Sequence, residues 1–272
     1  MEPLLVRTWN VFHGNTIPPE RSDHLEEMVG LVTEDGPAIV CLQEVPVWAI
    51  GRLEKWSGMQ VFAEVAQPPR IGPLPSTATI GHALTSLHHG IIRSAFAGQA
   101  NATLVSPAFR ALGSTACVLN PYWFRRREAR WLDLPLVARL AWARERRVCH
   151  TIRLARGVET FTVANLHATS FSADRRLPDA ELLRAATFVD SVTAPDDVCM
   201  IVGDFNIRTR VSRTLADLTG PDWGYTGSSP GIDHVLVRGA PLTRLTRWPD
   251  ERRRIDDGRL LSDHAPLEAH IG

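Results

Sequence analysis

The sequence predicts a mixed α/β protein whose sheet faces are buried. Three observations carry that prediction. Short apolar runs of strand length recur along the chain and close on polar residues. Amphipathic stretches with helical spacing fall between several of them. A length of 272 residues, 44% of them hydrophobic, suffices for a sizeable core. Strands and helices interspersed in this way build layered α/β architectures. Length alone permits one domain or two.

The first strand is LLVRTWN, residues 4–10, ending in a polar residue. Residues 20–33 read as a helix, with Leu25, Met28, Val29 and Val32 at helical spacing. PAIVCLQE, residues 37–44, is a buried strand that ends in an acid. The following VPVWAIGRLEKW reads as a helix with Pro46 in its first turn and Gly51 weakening it. Residues 66–89 are rich in Pro, Gly, Ser and Thr and read as a loop. His82, His88 and His89 lie in it, at a spacing that matches no metal-ligand motif. Residues 102–106 and 114–120 read as strands. Residues 125–147 alternate between arginines and apolar residues and fit a strand, a loop or a short helix equally well. Two alternating strands, 147–155 and 158–166, flank a tight turn at Arg156-Gly157. A helix over 179–192, a strand over 198–206 and a short helix over 211–218 follow. IDHVLVRG and APLEAHI are the late strands.

Composition narrows the function classes. Formal net charge is zero, so no bulk field draws the chain to nucleic acid or to an acidic membrane. Lys55 is the only lysine, a bias that reads as genomic base composition. Cys41, Cys117, Cys149 and Cys199 sit in or beside apolar runs, form no CxxC pair and read as reduced core cysteines. The N-terminus lacks a signal-peptide pattern, and no apolar run approaches the length of a membrane span. A cytoplasmic enzyme or binding protein is the expectation.

Polar residues gather at strand ends. Asn10 closes the first strand, Glu44 the second, and Asn165 and His167 the hairpin. Asp204 and Asn206 follow in GDFN, Asp233 and His234 open IDH, and Ser262, Asp263 and His264 precede the last strand. Asp204 and Asn206 are two apart, so on a strand they share a face. That pair is either a solvated strand exit or the holder of a cation or a phosphate. Strand ends are where α/β proteins place ligands. Carboxylates suit a hard cation, a His–Asp pair suits acid–base work near neutral pH, and amides orient phosphate and water. The chemistry that uses all three is phosphoester hydrolysis.

Taken in order, WN, LQE, NxH, GDFN, IDH and SDH resemble the endonuclease/exonuclease/phosphatase superfamily, the deoxyribonuclease I-like group. The resemblance runs from Asn10 to His264. It implies a four-layer α/β sandwich, two mixed β-sheets packed face to face with helices on the outside, forming one catalytic domain over residues 1–272. It also implies roles. Glu44 looks like the principal Mg²⁺ ligand, with Asn10 beside it and Asp263 as a further metal-site carboxylate; Mn²⁺ is the alternative ion. Asp204 would orient or deprotonate the attacking water, and Asn206 would hold the scissile phosphate. His264 would contact the phosphate, buttressed by Asp233. His167 matches the family's other histidine, with Asn165 in the same NxH motif. Asn101 resembles a turn asparagine ahead of a strand, and Arg147 resembles an arginine that opens a strand near the phosphate.

Other residues read as structural. His234 alternates away from Asp233, Trp223 and Tyr225 belong to a core or rim, and Arg125 to Arg127 form a solvated surface run. The NxH form is similar to deoxyribonuclease I and the sphingomyelinases rather than to the abasic-site endonucleases. The inositol 5-phosphatase signature is missing near IDH, and Gly231 stands where many members carry Arg. The substrate is therefore a phosphate ester of a small molecule, a lipid headgroup or a nucleic acid. Three readings follow: a metal-dependent phosphoesterase, a nuclease of the same superfamily, or a catalytically silent member acting as a binding module. The last is marked by a broken Glu44, Asp204 or His264, and all three are intact.

Overall fold

The structure, a computed structural model, describes residues 2–72, 74–86 and 96–272. The chain divides into two compact units, Glu2–Phe109 with Arg244–Ile271, and Arg110–Thr243 with Gly272.

The first unit is built on a six-stranded mixed sheet in the order β13-β15-β1-β3-β7-β4. These strands are β1 (Leu4–Asn10), β3 (Ile39–Val45), β4 (Gln60–Gln67), β7 (Gln99–Val105), β13 (Leu242–Arg247) and β15 (Leu267–Ile271). Two short pairs accompany it, β2 (Thr16–Ile17) with β14 (Leu260–Leu261), and β5 (Arg70–Ile71) with β6 (Leu74–Pro75). β1 and β3 run parallel, Asn10 opposite Gln43. A parallel pair needs a crossover, and α1 (Leu25–Thr33) lies on the segment that supplies it. Its Leu25, Met28, Val29 and Val32 recur at helical spacing and are fully buried with Trp9, Val11, Val40 and Leu42 of the sheet. Arg7 closes the end of that helix. It donates from Nη1 to the carbonyls of Val32 (3.0 Å) and Glu34 (2.7 Å), and from Nε to Glu268 (2.9 Å). A buried guanidinium is stable here because these partners replace its water.

The second unit repeats the logic. Its five-stranded mixed sheet has the order β12-β11-β10-β9-β8. The strands are β8 (Arg110–Val118), β9 (Val148–Arg156), β10 (Glu159–His167), β11 (Val198–Asp204) and β12 (Asp233–Arg238). Here β10 and β11 are the parallel pair, and α6 (Arg176–Val192) is the crossover helix. Leu182, Ala185, Ala186 and Val189 of that helix bury against Ala164, Leu166, Cys199 and Ile201 of the sheet. In both sheets one parallel pair is flanked by an antiparallel strand: β15 beside β1, and β12 beside β11. The carboxyl ends of the two parallel pairs carry Asn10 and Glu44 in one unit, and His167 and Asp204 in the other.

Several boundaries differ from expectation for identifiable reasons. Residues 66–89 are not one loop: β4 runs through Gln67, β5 and β6 form a hairpin, and Ala78–Ser86 is a helix, α3. Small polar residues conceal that helix, whose His82 ring stacks 4.1 Å from Trp48. His88 and His89 lie outside the described residues. The ambiguous segment is two helices, α4 (Tyr122–Trp131) and α5 (Leu136–Arg144), each preceded by a proline, Pro121 or Pro135. Those prolines supply extended backbone ahead of a helix and punctuate an otherwise confusing pattern. The stretch after Glu44 is a 3-10 turn, Val47–Arg52, running into α2 (Leu53–Ser57), with Pro46 ahead of the turn rather than inside it. The short helix α7 is Arg213–Leu218, capped by Ser212, whose hydroxyl accepts from the Leu215 N–H at 2.9 Å. Cys41, Cys149 and Cys199 are buried, Cys117 is only partly so, and all four are free thiols.

Candidate active site

In the first unit the polar cluster forms where β1 and β3 end. Trp9 and Val11 point into the helix-side core, so Thr8 and Asn10 face the other way. On β3, Val40 and Leu42 share that core, and strict alternation would send Glu44 there too. A β-bulge prevents it: the register of β3 against β7 shifts between Leu42 and Val45. Glu44 adopts a left-handed φ of 55°, and Val45 returns to the core. A bulge lets two successive residues leave by one face. Glu44 thus meets Asn10, whose Nδ2 donates to Oε1 at 3.2 Å. Asn10 Oδ1 accepts from the Phe12 N–H at 3.0 Å, holding the amide in that orientation.

The SDH segment is tied to the same place. Ser262, at φ 61°, donates its hydroxyl to the Asn10 carbonyl (2.6 Å) and accepts from the His264 N–H (3.1 Å). The His264 carbonyl accepts from Trp9 Nε1 at 2.8 Å. Buried Arg253 donates from one nitrogen to the carbonyls of Leu261 (3.0 Å) and Ser262 (2.7 Å). Burial raises the Asp263 carboxyl above its ordinary value; His264 opposes that rise and nearby Glu44 adds to it. Two carboxylates in one cluster, one of them pushed toward its neutral form by burial with its neighbour adding to the rise, fit a hard divalent cation that neutralises both. Glu44, Asp263 and Asn10 are the residues that would hold it.

In the second unit, strand register aligns the acids and the imidazole. His167 on β10 pairs with Asp204 on β11, and Asp204 pairs with Asp233 on β12. The three form a row across the end of the sheet, on the face opposite Leu166 and Phe205. His167 Nε2 lies 3.7 Å from Asp204 Oδ2. Asp204 Oδ1 accepts from the Asn206 N–H at 2.9 Å, and Asn206, at φ 51°, donates Nδ2 to the Ala168 carbonyl at 3.0 Å. Gly203 makes this close approach possible. Its φ is 140°, and a Cβ there would lie 2.0 Å from the Leu166 carbonyl oxygen. Arg147 Nη1 sits 3.0 Å from Nδ1 and 3.1 Å from Nε2 of His167, and its other terminal nitrogen donates to Glu145. Asn165 is buried on the same face of β10 as His167.

His234 is structural: its Nδ1 accepts from the Ser229 N–H (3.0 Å) and its Nε2 lies 2.9 Å from the Ile207 carbonyl. Burial holds its imidazole below the ordinary histidine range. Tyr225 is a core residue and Trp223 packs on that core. Asn101 departs from expectation. It lies inside β7, not in a turn ahead of a strand, because β7 begins at Gln99 to pair with β4, Asn101 opposite Glu64.

Three residues with evident roles escaped the sequence reading. His13, three residues past Asn10 in a left-handed conformation (φ 53°), places Nε2 3.2 Å from Glu44 Oε2. Only the fold around the bulge reveals it. Glu145 engages Arg147 from the turn between α5 and β9, two residues earlier in the chain. Glu181 on α6 is fully buried and accepts from the Thr169 N–H (2.6 Å), the Thr169 hydroxyl (2.7 Å) and Trp142 Nε1 (2.6 Å). It anchors the loop that leaves His167. Burial raises its carboxyl, and the hydrogen bonds from Thr169 and Trp142 oppose that rise.

Solved structures share this fold across the whole chain. Human Nocturnin, as its catalytic domain with a bound sulfate anion, matches at TM-score 0.66 and 15% identity, covering 99% of this chain and 93% of that one. D. rerio TDP2 complexed with a single-strand DNA product matches at TM-score 0.65 and 13% identity, covering 100% of each chain. A functionally unknown conserved protein from Enterococcus faecalis matches at TM-score 0.67 and 14% identity, covering 99% of each. No curated protein sequence matches. The fold is therefore that of the DNase I-like class of mixed α/β proteins. A sequence model of the Endonuclease/Exonuclease/phosphatase family matches residues 8–264, and the chain belongs to that family. Its members hydrolyse phosphoester bonds, which makes this chain a metal-dependent phosphoesterase or nuclease in the broad sense. No helix among the described residues is long and apolar enough to cross a membrane.

Proposed function

We propose that the protein is a Mg²⁺-dependent phosphoesterase, hydrolysing a phosphodiester or phosphomonoester by in-line attack of an activated water. The observation that carries this reading is the row His167–Asp204–Asp233 at one sheet end, with Asn206 locked to Asp204 through its own N–H. In this reading residues 1–272 form one catalytic domain. Glu44, Asn10 and Asp263 hold Mg²⁺, with Mn²⁺ able to replace it. The ion supplies charge neutralisation at the phosphoryl group and its leaving oxygen. Asp204 takes the proton of the attacking water. Asn206 donates its second amide hydrogen to the phosphate, since the first is committed to Ala168. His167, beside the fixed positive charge of Arg147, and His264 donate to non-bridging oxygens or to the leaving group. Asn165 and Arg147 in the one unit, and Asn101 in the other, are the substrate-binding residues of this reading. Four free thiols are consistent with a cytoplasmic, reducing compartment.

The test is hydrolysis of bis-p-nitrophenyl phosphate and p-nitrophenyl phosphate with Mg²⁺, Mn²⁺ or EDTA. Diester cleavage that needs the metal is expected, and Glu44→Ala and Asp204→Ala should each lower kcat by about 10²–10⁴-fold with the circular dichroism spectrum unchanged. Unchanged rates in both variants would sink the assignment. A nuclease is the second reading, favoured by the likeness to the DNA-product complex of TDP2. It predicts oligonucleotide binding that weakens steeply with salt, as counterions are released from several phosphates.

A further inference from the structure

The hairpin of α4 and α5, inserted between β8 and β9, presents a surface that phosphoester hydrolysis leaves unused. α5 is apolar on two sides. Ala138 and Trp142 bury against Phe124, Ala129, Leu134 and Leu177. On the opposite side, Leu136 (69% exposed), Val137 and Leu140 (63%) face solvent. Three aliphatic side chains exposed together on one helix face ordinarily mark a contact surface. Trp131, where α4 ends, is 80% exposed, and Tyr122 and Trp123 are exposed on α4.

Charge accompanies this apolar surface. Residues 121–144 hold six arginines against two acids, in a chain whose formal net charge is zero. Arg125, Arg126, Arg130 and Arg139 line a groove of about 260 Å³, together with Tyr122 and Trp142. The hairpin is fixed at its base by Asn120, whose Nδ2 donates to the carbonyls of Trp142 (3.2 Å) and Glu145 (2.7 Å), and whose Oδ1 accepts from the Arg147 N–H (2.9 Å).

Arginines with exposed tryptophans would also suit a nucleic acid, but Leu136, Val137 and Leu140 offer nothing to phosphates or bases. A second copy of the chain, docked symmetrically, would set six arginines against six. Exposed aliphatics, interfacial aromatics and clustered arginines on one short helical element are together the composition of a membrane-surface anchor. We propose that the α4–α5 hairpin docks the protein on an anionic phospholipid bilayer. Leu136, Val137, Leu140 and Trp131 enter the boundary between headgroups and acyl chains, and the arginine-lined groove takes a headgroup phosphate. None of the residues named for binding the bilayer is among those proposed for hydrolysis, so the two readings fail separately.

The experiment is co-sedimentation of the full chain with vesicles of phosphatidylcholine alone and of phosphatidylcholine with phosphatidylserine at about 3:1. Binding to the mixed vesicles and not to phosphatidylcholine alone is expected. Leu136→Ser combined with Val137→Ser and Leu140→Ser should lower that binding by about tenfold or more. Arg126→Gln and Arg130→Gln should each lower it by about fivefold. These positions are exposed, so the variants keep their fold, which circular dichroism checks. Three results overturn the proposal: no binding to the mixed vesicles, equal binding by all the variants, or a dimer dissolved by the leucine variants without vesicle binding. Binding of a single-stranded oligonucleotide through the arginines alone, with vesicles ignored, overturns it as well.

Discussion

His13 Nε2 lies 3.2 Å from Glu44 Oε2, while Asn10 Nδ2 lies 3.2 Å from Glu44 Oε1. Each carboxylate oxygen therefore has its own partner, and both partners come from the segment around the end of β1. A carboxylate held at both oxygens enters a metal site without paying to order itself. His13→Ala should weaken Mg²⁺ binding by about 10–100-fold, as loss of a residue that orients a metal ligand commonly does. Isothermal titration calorimetry measures this directly. Unchanged affinity would show that the bulge and Asn10 alone set the position of Glu44.

Gly203 stands where no other residue fits. Its φ of 140° is a glycine region, and a Cβ would meet the Leu166 carbonyl at 2.0 Å. Gly203→Ala must push β11 from β10 exactly at the row that holds His167 and Asp204. A loss of about 2 kcal/mol or more is expected in urea denaturation, with hydrolysis reduced further than stability alone explains. A variant of wild-type stability would contradict this account of the strand pair.

Glu181 accepts three hydrogen bonds in full burial. Glu181→Ala leaves Trp142 Nε1 and the Thr169 N–H without an acceptor. Each orphaned donor costs about 1–3 kcal/mol, so thermal denaturation should show a large fall in Tm. Glu181→Gln should also destabilise, since its amide sets a donor against a donor.

Asp197 gives a pH-dependent prediction. Burial works to raise its carboxyl, but Arg153, with bonds of 2.8 and 3.0 Å, and Thr162, at 2.7 Å, outweigh it and hold the pKa at about 2. The folded-state value lies below the unfolded value of about 4. The stabilisation is therefore fully present above the unfolded value and is lost as pH falls through the folded one. Asp197→Asn should be less stable than wild type by about 1–3 kcal/mol near neutral pH. The gap should close between about pH 4 and pH 2. A gap that persists at pH 2 would assign the effect to packing rather than to charge.

Much of the fold and most of the candidate site were legible in the sequence. Alternation and apolar runs located β1, β3, β9, β10 and β11, because those strands are buried on at least one face. Helical spacing located α1 and α6 for the same reason. α3 was missed because its small polar residues carry no stripe. α4 and α5 were ambiguous because α5 is apolar on both sides and α4 crowds arginines among aromatics, so no single period stands out. Asn101 was misplaced by a few residues, since where a strand begins depends on its partner, here β4.

The sequence by itself determined the chemistry available: Asn10, Glu44, His167, Asp204, Asn206, Asp233, Asp263 and His264 stand at strand ends in an order that points to phosphoester hydrolysis. A strand that leaves the core must end in something water or a ligand can satisfy, and that constraint is written locally. Tertiary structure alone decided which face Glu44 takes, because a bulge is a property of two strands together. It alone brought His13 to Glu44 and Glu181 beneath Thr169, contacts that join residues with no shared period. It also left Leu136, Val137 and Leu140 uncovered, since burial is settled by the neighbours a helix finds and not by its own composition.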